Sequence, residues 1–152
     1  MKTMNIMKRI AAIVTFAVIT LLLQSCSAQT DKNPWTQQQL MKPADLAAVL
    51  NNPDAKQPIV FSIGPQAVIK NSTDIGPTGR SSNLDKFQAQ LSKLPKDANI
   101  VIYCGCCPFS RCPNVRPAFN LLNEMGFKNQ KLLNLAQNIK VDWIDKGYPL
   151  NQ

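Results

Sequence analysis

Cys104, Cys106, Cys107 and Cys112 fall within nine residues, in the run Cys104-Gly105-Cys106-Cys107-Pro108-Phe109-Ser110-Arg111-Cys112-Pro113. Three chemistries suit that spacing. Cys104 is placed to act as a thiolate nucleophile, with Gly105, Cys106 and Cys107 contributing backbone amides around it. Cys104 and Cys107 form a C-x-x-C pair fit for thiol–disulfide exchange. All four sulfurs together offer a soft thiolate set for Cu(I) or Zn(II), although the spacing lacks the paired two-residue separations of structural zinc sites. Structural bridges confined to nine residues would close only short loops and constrain little of the unfolded chain.

The surrounding residues favour the thiolate. Arg111 and Arg116 are the only charged residues between Asp97 and Glu124. A helix beginning just after the loop would add roughly half a positive charge at its N-terminus. Both effects predict a Cys104 pKa below that of an ordinary thiol, in the range of about 3.5–7.5 seen for activated cysteines. The chain contains no histidine, which excludes Ser-His and Cys-His pairs, histidine-ligated zinc and an imidazole base. No glycine-rich phosphate loop and no carboxylate pair suggests hydrolysis. No cofactor is called for.

The elements that position the loop are legible from periodicity. Pro43 suits a first helical turn, with Leu46, Ala47, Val49 and Leu50 behind it and Asn51-Asn52-Pro53-Asp54 as a breaker. Pro58 to Ile63 reads as a buried strand. Asn71 to Ser82 reads as a loop. Ser82 and Asp85 suggest a capping box for a helix carrying Leu84, Phe87, Leu91 and Leu94. Asn99 to Tyr103 is the clearest strand, and Val115, Ala118, Phe119 and Leu122 mark the clearest helix, with Gly126 at its end. Lys131 to Leu135 is a further strand, and Val141 to Lys146 a short helix stopped by Gly147. Alternating strands and helices predict an α/β domain with a mainly parallel central sheet and helices on both faces. Ligands gather beyond the carboxyl ends of such strands, where Cys104 stands.

Upstream, Lys8 and Arg9 precede fourteen residues, Ile10 to Leu23, whose only polar members are Thr15 and Thr20. That run is too short for a membrane-spanning helix, which needs about 20 residues, and reads as part of a signal peptide over residues 1–28. Leu23-Gln24-Ser25-Cys26 resembles a bacterial lipobox, which implies cleavage before Cys26 and lipidation of its sulfur. Ordinary cleavage after Ala28 is the other option. The expectation is an exported protein, periplasmic or held to a membrane surface by a lipid anchor. Residues 29–42, with Gln37, Gln38 and Gln39 in a row, read as a polar tether, and 43–150 as the domain. Of a net charge of +8, Lys2, Lys8 and Arg9 supply three. The remainder is a mild surplus, which argues against a nucleic-acid partner.

From Ile100 onward the chain resembles a single-domain rhodanese. The resemblance rests on the strand ending in Tyr103-Cys104, the loop opening a helix that closes at Met125-Gly126-Phe127, and above all the ending Trp143-Ile144-Asp145-Lys146-Gly147-Tyr148-Pro149-Leu150. More loosely, Pro43 to Leu50 resembles the entry helix, Pro58 to Ile63 the first core strand, and Ile75-Gly76-Pro77-Thr78-Gly79 the family's His-Ile-Pro-Gly turn. Ser62-Ile63-Gly64 stands where the family usually carries Asp-x-Arg, and the loop after Cys104 is extended. The resemblance implies a rhodanese-like fold and a sulfurtransferase. Cys104 would take sulfane sulfur from a small anionic donor such as thiosulfate, hold it as a persulfide and pass it to a thiol acceptor. On that reading Arg111 or Arg116 attracts the donor, and Cys107 or Cys112 resolves the persulfide. Trp143 and Tyr148 are expected to pack the domain end. The alternatives are a non-catalytic module binding a soft metal through Cys104, Cys106, Cys107 and Cys112, and disulfide exchange through Cys104 and Cys107.

Overall fold

A computed structural model describes residues 33–151. The expected signal segment, its expected cleavage points and Cys26 lie outside the described residues.

Five parallel strands form one sheet in the order β1-β5-β4-β2-β3. They are β1 (Leu40–Met41), β2 (Ile59–Ser62), β3 (Thr73–Asp74), β4 (Ile100–Tyr103) and β5 (Gln130–Leu133). β4 is central and buried at every position, as expected of an unbroken β-branched and aromatic run with neighbours on both sides. Among the described residues, four α-helices accompany the sheet: α1 (Pro43–Asn51), α2 (Ser81–Leu91), α3 (Val115–Glu124) and α4 (Ile139–Asp142).

Alternation along the strands sorts the core into two layers. On one face, Phe61, Ile63, Ile100, Ile102 and Leu132 pack against Phe87 and Leu91 of α2 and Val115, Ala118, Phe119 and Leu122 of α3. On the other, Val60, Val101, Tyr103 and Leu133 meet Leu46, Ala47 and Leu50 of α1 and the fully buried Trp143 after α4. Helices thus cover both faces, and the expected α/β architecture is present.

Several local expectations need correction. The stretch assigned to a tether, residues 29–42, is partly integral to the domain. Trp35 is buried, and β1 pairs with β5 through Leu40↔Leu132 and Met41↔Leu133. Trp35 fills a site against Phe109 and Phe119, with ring centroids 6.0 and 5.8 Å away. A polar, glutamine-rich run conceals that anchor, since one aromatic residue carries the burial. Within the expected loop 71–82, β3 adds an exposed edge strand beside β2. The capping box at Ser82 and Asp85 does not form, because α2 starts at Ser81 with Arg80 as its uncapped entry. The last helix is split into α4 and a 3-10 turn, Ile144–Lys146, with Gly147 in the left-handed region at φ 69°.

Trp143 and Tyr148 close the domain as expected. Trp143 Nε1 donates to the Pro149 carbonyl at 3.0 Å, and the two rings meet edge to face at 5.1 Å. Tyr103, at the end of β4, uses its hydroxyl to accept from the Val68 and Ile69 amides at 2.8 and 3.2 Å, tying down the crossing from β2 to β3.

Candidate thiol centre

The chain leaves β2 toward the β3 edge and leaves β4 toward β5, so the segments after these adjacent strands diverge. In such sheets that divergence, at the carboxyl ends of the strands, is where ligands gather. Cys104 is the first residue after β4, and Gly64, two residues after β2, packs directly against it. A Cβ built on Gly64 would lie 3.0 Å from Cys104 Sγ and 3.2 Å from the Gly105 nitrogen. Only a bare backbone can sit so close to the sulfur.

All four loop thiols are free. Cys104 Sγ lies 3.4 Å from Cys106 Sγ, which lies 3.3 Å from Cys107 Sγ. The sulfurs of Cys104, Cys106 and Cys112 are all within 4.8 Å of one another. Cys112, eight residues on, returns because a 3-10 turn, Phe109–Arg111, folds the loop back. The Phe109 amide donates to the Leu135 carbonyl at 3.1 Å, which fixes that turn beyond the end of β5. Cys104 and Cys112 are buried, Cys107 is half-buried, and Cys106 faces solvent. Gly105 is held by α4: its carbonyl accepts from the Ile139 amide at 2.9 Å, and a Cβ there would strike Ile139 at 2.8 Å.

Asn114 supplies a polar contact to the Cys104 sulfur. It precedes α3 yet makes no side-chain cap. Its Oδ1 instead accepts from the Gly79 amide at 2.9 Å, and its Nδ2 donates to Cys104 Sγ at 3.4 Å. Thr78 Oγ1 donates to the Asn114 carbonyl at 2.7 Å. The turn at residues 75–79 thereby holds a buried amide against the sulfur. Sequence reasoning missed Asn114, because asparagine before a helix reads as an ordinary cap. It also missed Gly64, which reads as no more than a strand boundary.

The expectation of a depressed Cys104 pKa is overturned. Hydrogen bonding with the Cys112 thiol, and then burial, push the Cys104 thiol well above its ordinary value; the Asn114 amide and the Cys106 backbone N–H pull it down, but less strongly. The physical reason is placement. The sulfur sits in an apolar layer beside another thiol, and α3 begins only at Val115, beyond the intervening turn. Desolvation opposes the charged form of a buried thiol. Burial, and then the Cys106 thiol, also push Cys107 up.

The two arginines differ in their engagements. Arg116 donates to the Ser110 carbonyl at 3.1 Å and to Asn33 Oδ1 at 2.8 Å, and lies over the Trp35 ring at 5.5 Å. It braces the loop against the N-terminal segment. Arg111 ends the 3-10 turn in an exposed position. The Cys104 sulfur thus receives its donors from Asn114 and Cys106.

These features define an α/β protein with a buried, hydrogen-bonded thiol at its switch point. In comparisons with known proteins, no family model and no curated sequence matches the chain.

Proposed function

We propose that the domain is a rhodanese-like sulfurtransferase in which Cys104 carries sulfane sulfur as a persulfide. The observation that carries this reading is the Cys104 sulfur at the divergence of β2 and β4, receiving Asn114 Nδ2 at 3.4 Å and facing a second free thiol at 3.4 Å. The parallel sheet with helices on both faces, and the buried Trp143 in its closing motif, support the family assignment.

In the proposed reaction Cys104 first loses its proton to solvent. The thiolate attacks the outer sulfur of thiosulfate. A new sulfur–sulfur bond forms, the old one breaks, and sulfite leaves with the electron pair. The Asn114 amide and the Cys106 N–H stabilise the negative charge before and after transfer. A thiol acceptor then attacks the outer sulfur and regenerates the Cys104 thiolate. In the absence of an acceptor, Cys106 attacks Cys104 Sγ, hydrosulfide leaves, and a Cys104–Cys106 disulfide remains for an external dithiol to reduce. The sequence suggested Cys107 or Cys112 for that step. Cys106 is favoured because its sulfur is 3.4 Å away and exposed. It also makes Cys104–Cys106 the favoured pair over C-x-x-C exchange through Cys107.

We further propose export, with the domain held near a membrane surface through a lipid on Cys26. Mass spectrometry of the mature N-terminus tests this: a free Gln29 overturns the lipid anchor.

For the reaction, full-length reduced protein is mixed with thiosulfate and mapped by mass spectrometry. The expected result is a gain of about 32 Da, one sulfur atom, on Cys104 with equimolar sulfite. Loss of both in Cys104→Ser supports the assignment. No adduct on wild-type protein, or an adduct that persists in Cys104→Ser, overturns it.

A further inference from the structure

The loop holds three sulfurs in a closed set, Cys104, Cys106 and Cys112, each within 4.8 Å of the other two. Cys107 touches Cys106 at 3.3 Å but is not a member of that set. We infer that Cys104, Cys106 and Cys112 form a three-coordinate thiolate site for a soft monovalent cation, Cu(I). This goes beyond sulfur transfer and does not depend on it, since it needs only the sulfur positions.

Ligand type is the first argument. Thiolates select Cu(I), zinc and iron–sulfur clusters over hard cations. The chain has no histidine, and the nearest acidic residues in sequence are Asp97 and Glu124. No hard ligand therefore stands close in sequence to complete a mixed coordination shell. Structural zinc takes four ligands in a tetrahedron, whereas the closed set offers three.

Geometry is the second. With a metal–thiolate bond of about 2.3 Å, the value for zinc, three sulfurs in a plane around one ion stand about 4 Å apart. The observed 3.4 Å between Cys104 and Cys106, within a set bounded at 4.8 Å, requires only small side-chain adjustment.

Burial and polarity are the third. Cys104 and Cys112 are 1% and 0% exposed, whereas Cys106 faces solvent and gives the ion a way in. Three thiolates around one Cu(I) leave a net charge of minus two. Asn114 Nδ2 donates into that charge at 3.4 Å. Binding breaks three S–H bonds, forms three Cu–S bonds and releases three protons to solvent. No electron moves, and affinity rises with pH.

The test is an anaerobic titration of full-length reduced protein with Cu(I) against a chromogenic Cu(I) chelator. One Cu(I) per chain is expected. Cys104→Ser, Cys106→Ser and Cys112→Ser should each weaken binding by at least about 100-fold, the upper end of what loss of a supporting group costs, while Cys107→Ser changes it by less than about threefold. Cys112 is fully buried and its replacement could disturb the loop, so the exposed Cys106→Ser variant decides the matter. Binding unchanged in Cys106→Ser, a second tight copper per chain, or displacement of Cu(I) by equimolar Zn(II) overturns the site.

Discussion

Asn114 occupies the position from which an asparagine normally caps a helix, but its amide nitrogen points to Cys104 Sγ at 3.4 Å. The helix forgoes a cap, and the sulfur gains a donor that favours its ionised form. A neutral hydrogen bond is worth about 1 kcal/mol, and one to a charged group about 1.5–3 kcal/mol. Asn114→Ala should therefore slow persulfide formation about tenfold and move its pH dependence upward. It also orphans the Gly79 amide. Asn114→Asp, nearly isosteric but anionic when ionised, should slow the reaction further by repelling the thiolate. Single-turnover sulfite release across pH checks both; equal rates in all three proteins would deny Asn114 any role.

Because Cys104 is held protonated, its reactivity should climb with pH. Alkylation of Cys104 should be slow at neutral pH and rise about tenfold per unit as the thiolate fraction grows. Exposed Cys106 should be labelled first. The sign for stability follows the same shift. The folded state favours the protonated thiol, while the unfolded chain ionises near the ordinary value of 9.0. The stabilisation is thus complete below pH 9 and lost as pH rises toward the higher folded value. By urea unfolding, the stability difference between wild type and Cys104→Ala should stay constant from neutral pH to about pH 9 and shrink above it. A difference that stays constant above that pH as well would contradict the assignment.

Gly64 admits no side chain without movement of Cys104, since a Cβ would stand 3.0 Å from Cys104 Sγ. Gly64→Ala should displace the sulfur or the Gly105 backbone and cost about 1–3 kcal/mol, as overpacking does elsewhere. Persulfide formation should fall more than chemical stability alone would explain. Denaturant unfolding paired with thiosulfate turnover separates the two effects.

After one turnover without an acceptor, disulfide mapping should find Cys104 joined to Cys106. Cys106→Ser should retain its persulfide, whereas Cys107→Ser should lose it as hydrosulfide at the wild-type rate. A Cys104–Cys107 bridge as the main product would restore the exchange reading of the C-x-x-C pair.

Trp143 is fully buried and bonded to Pro149 at 3.0 Å. Trp143→Ala should cost about 3–5 kcal/mol, in line with other large aromatic truncations in cores. Calorimetry checks it. A loss below 1 kcal/mol would mean that the closing motif is not structural.

What the sequence determined is what short-range chemistry determines. Ile100 to Tyr103 could only be an interior strand, and the apolar spacing from Val115 to Leu122 could only be one face of a helix. The placement of Cys104 at a strand's carboxyl end followed from those two elements, as did helices on both faces of a parallel sheet. The absence of histidine limited the chemistry before any fold was known. Tertiary structure decided the rest, because the deciding partners are distant in sequence or hidden by their type. Cys112 returns to Cys104 through the 3-10 turn Phe109–Arg111, which the Phe109–Leu135 hydrogen bond anchors. Asn114 accepts from Gly79, thirty-five residues earlier, instead of capping its own helix. Trp35 leaves its polar run to pack on Phe119, and Arg116 follows it. The Cys104 proton is the clearest case. Flanking charges in the sequence argued for a thiolate, but ionisation depends on the medium within a few ångströms of the sulfur, and there the fold supplies a neighbouring thiol and an apolar layer.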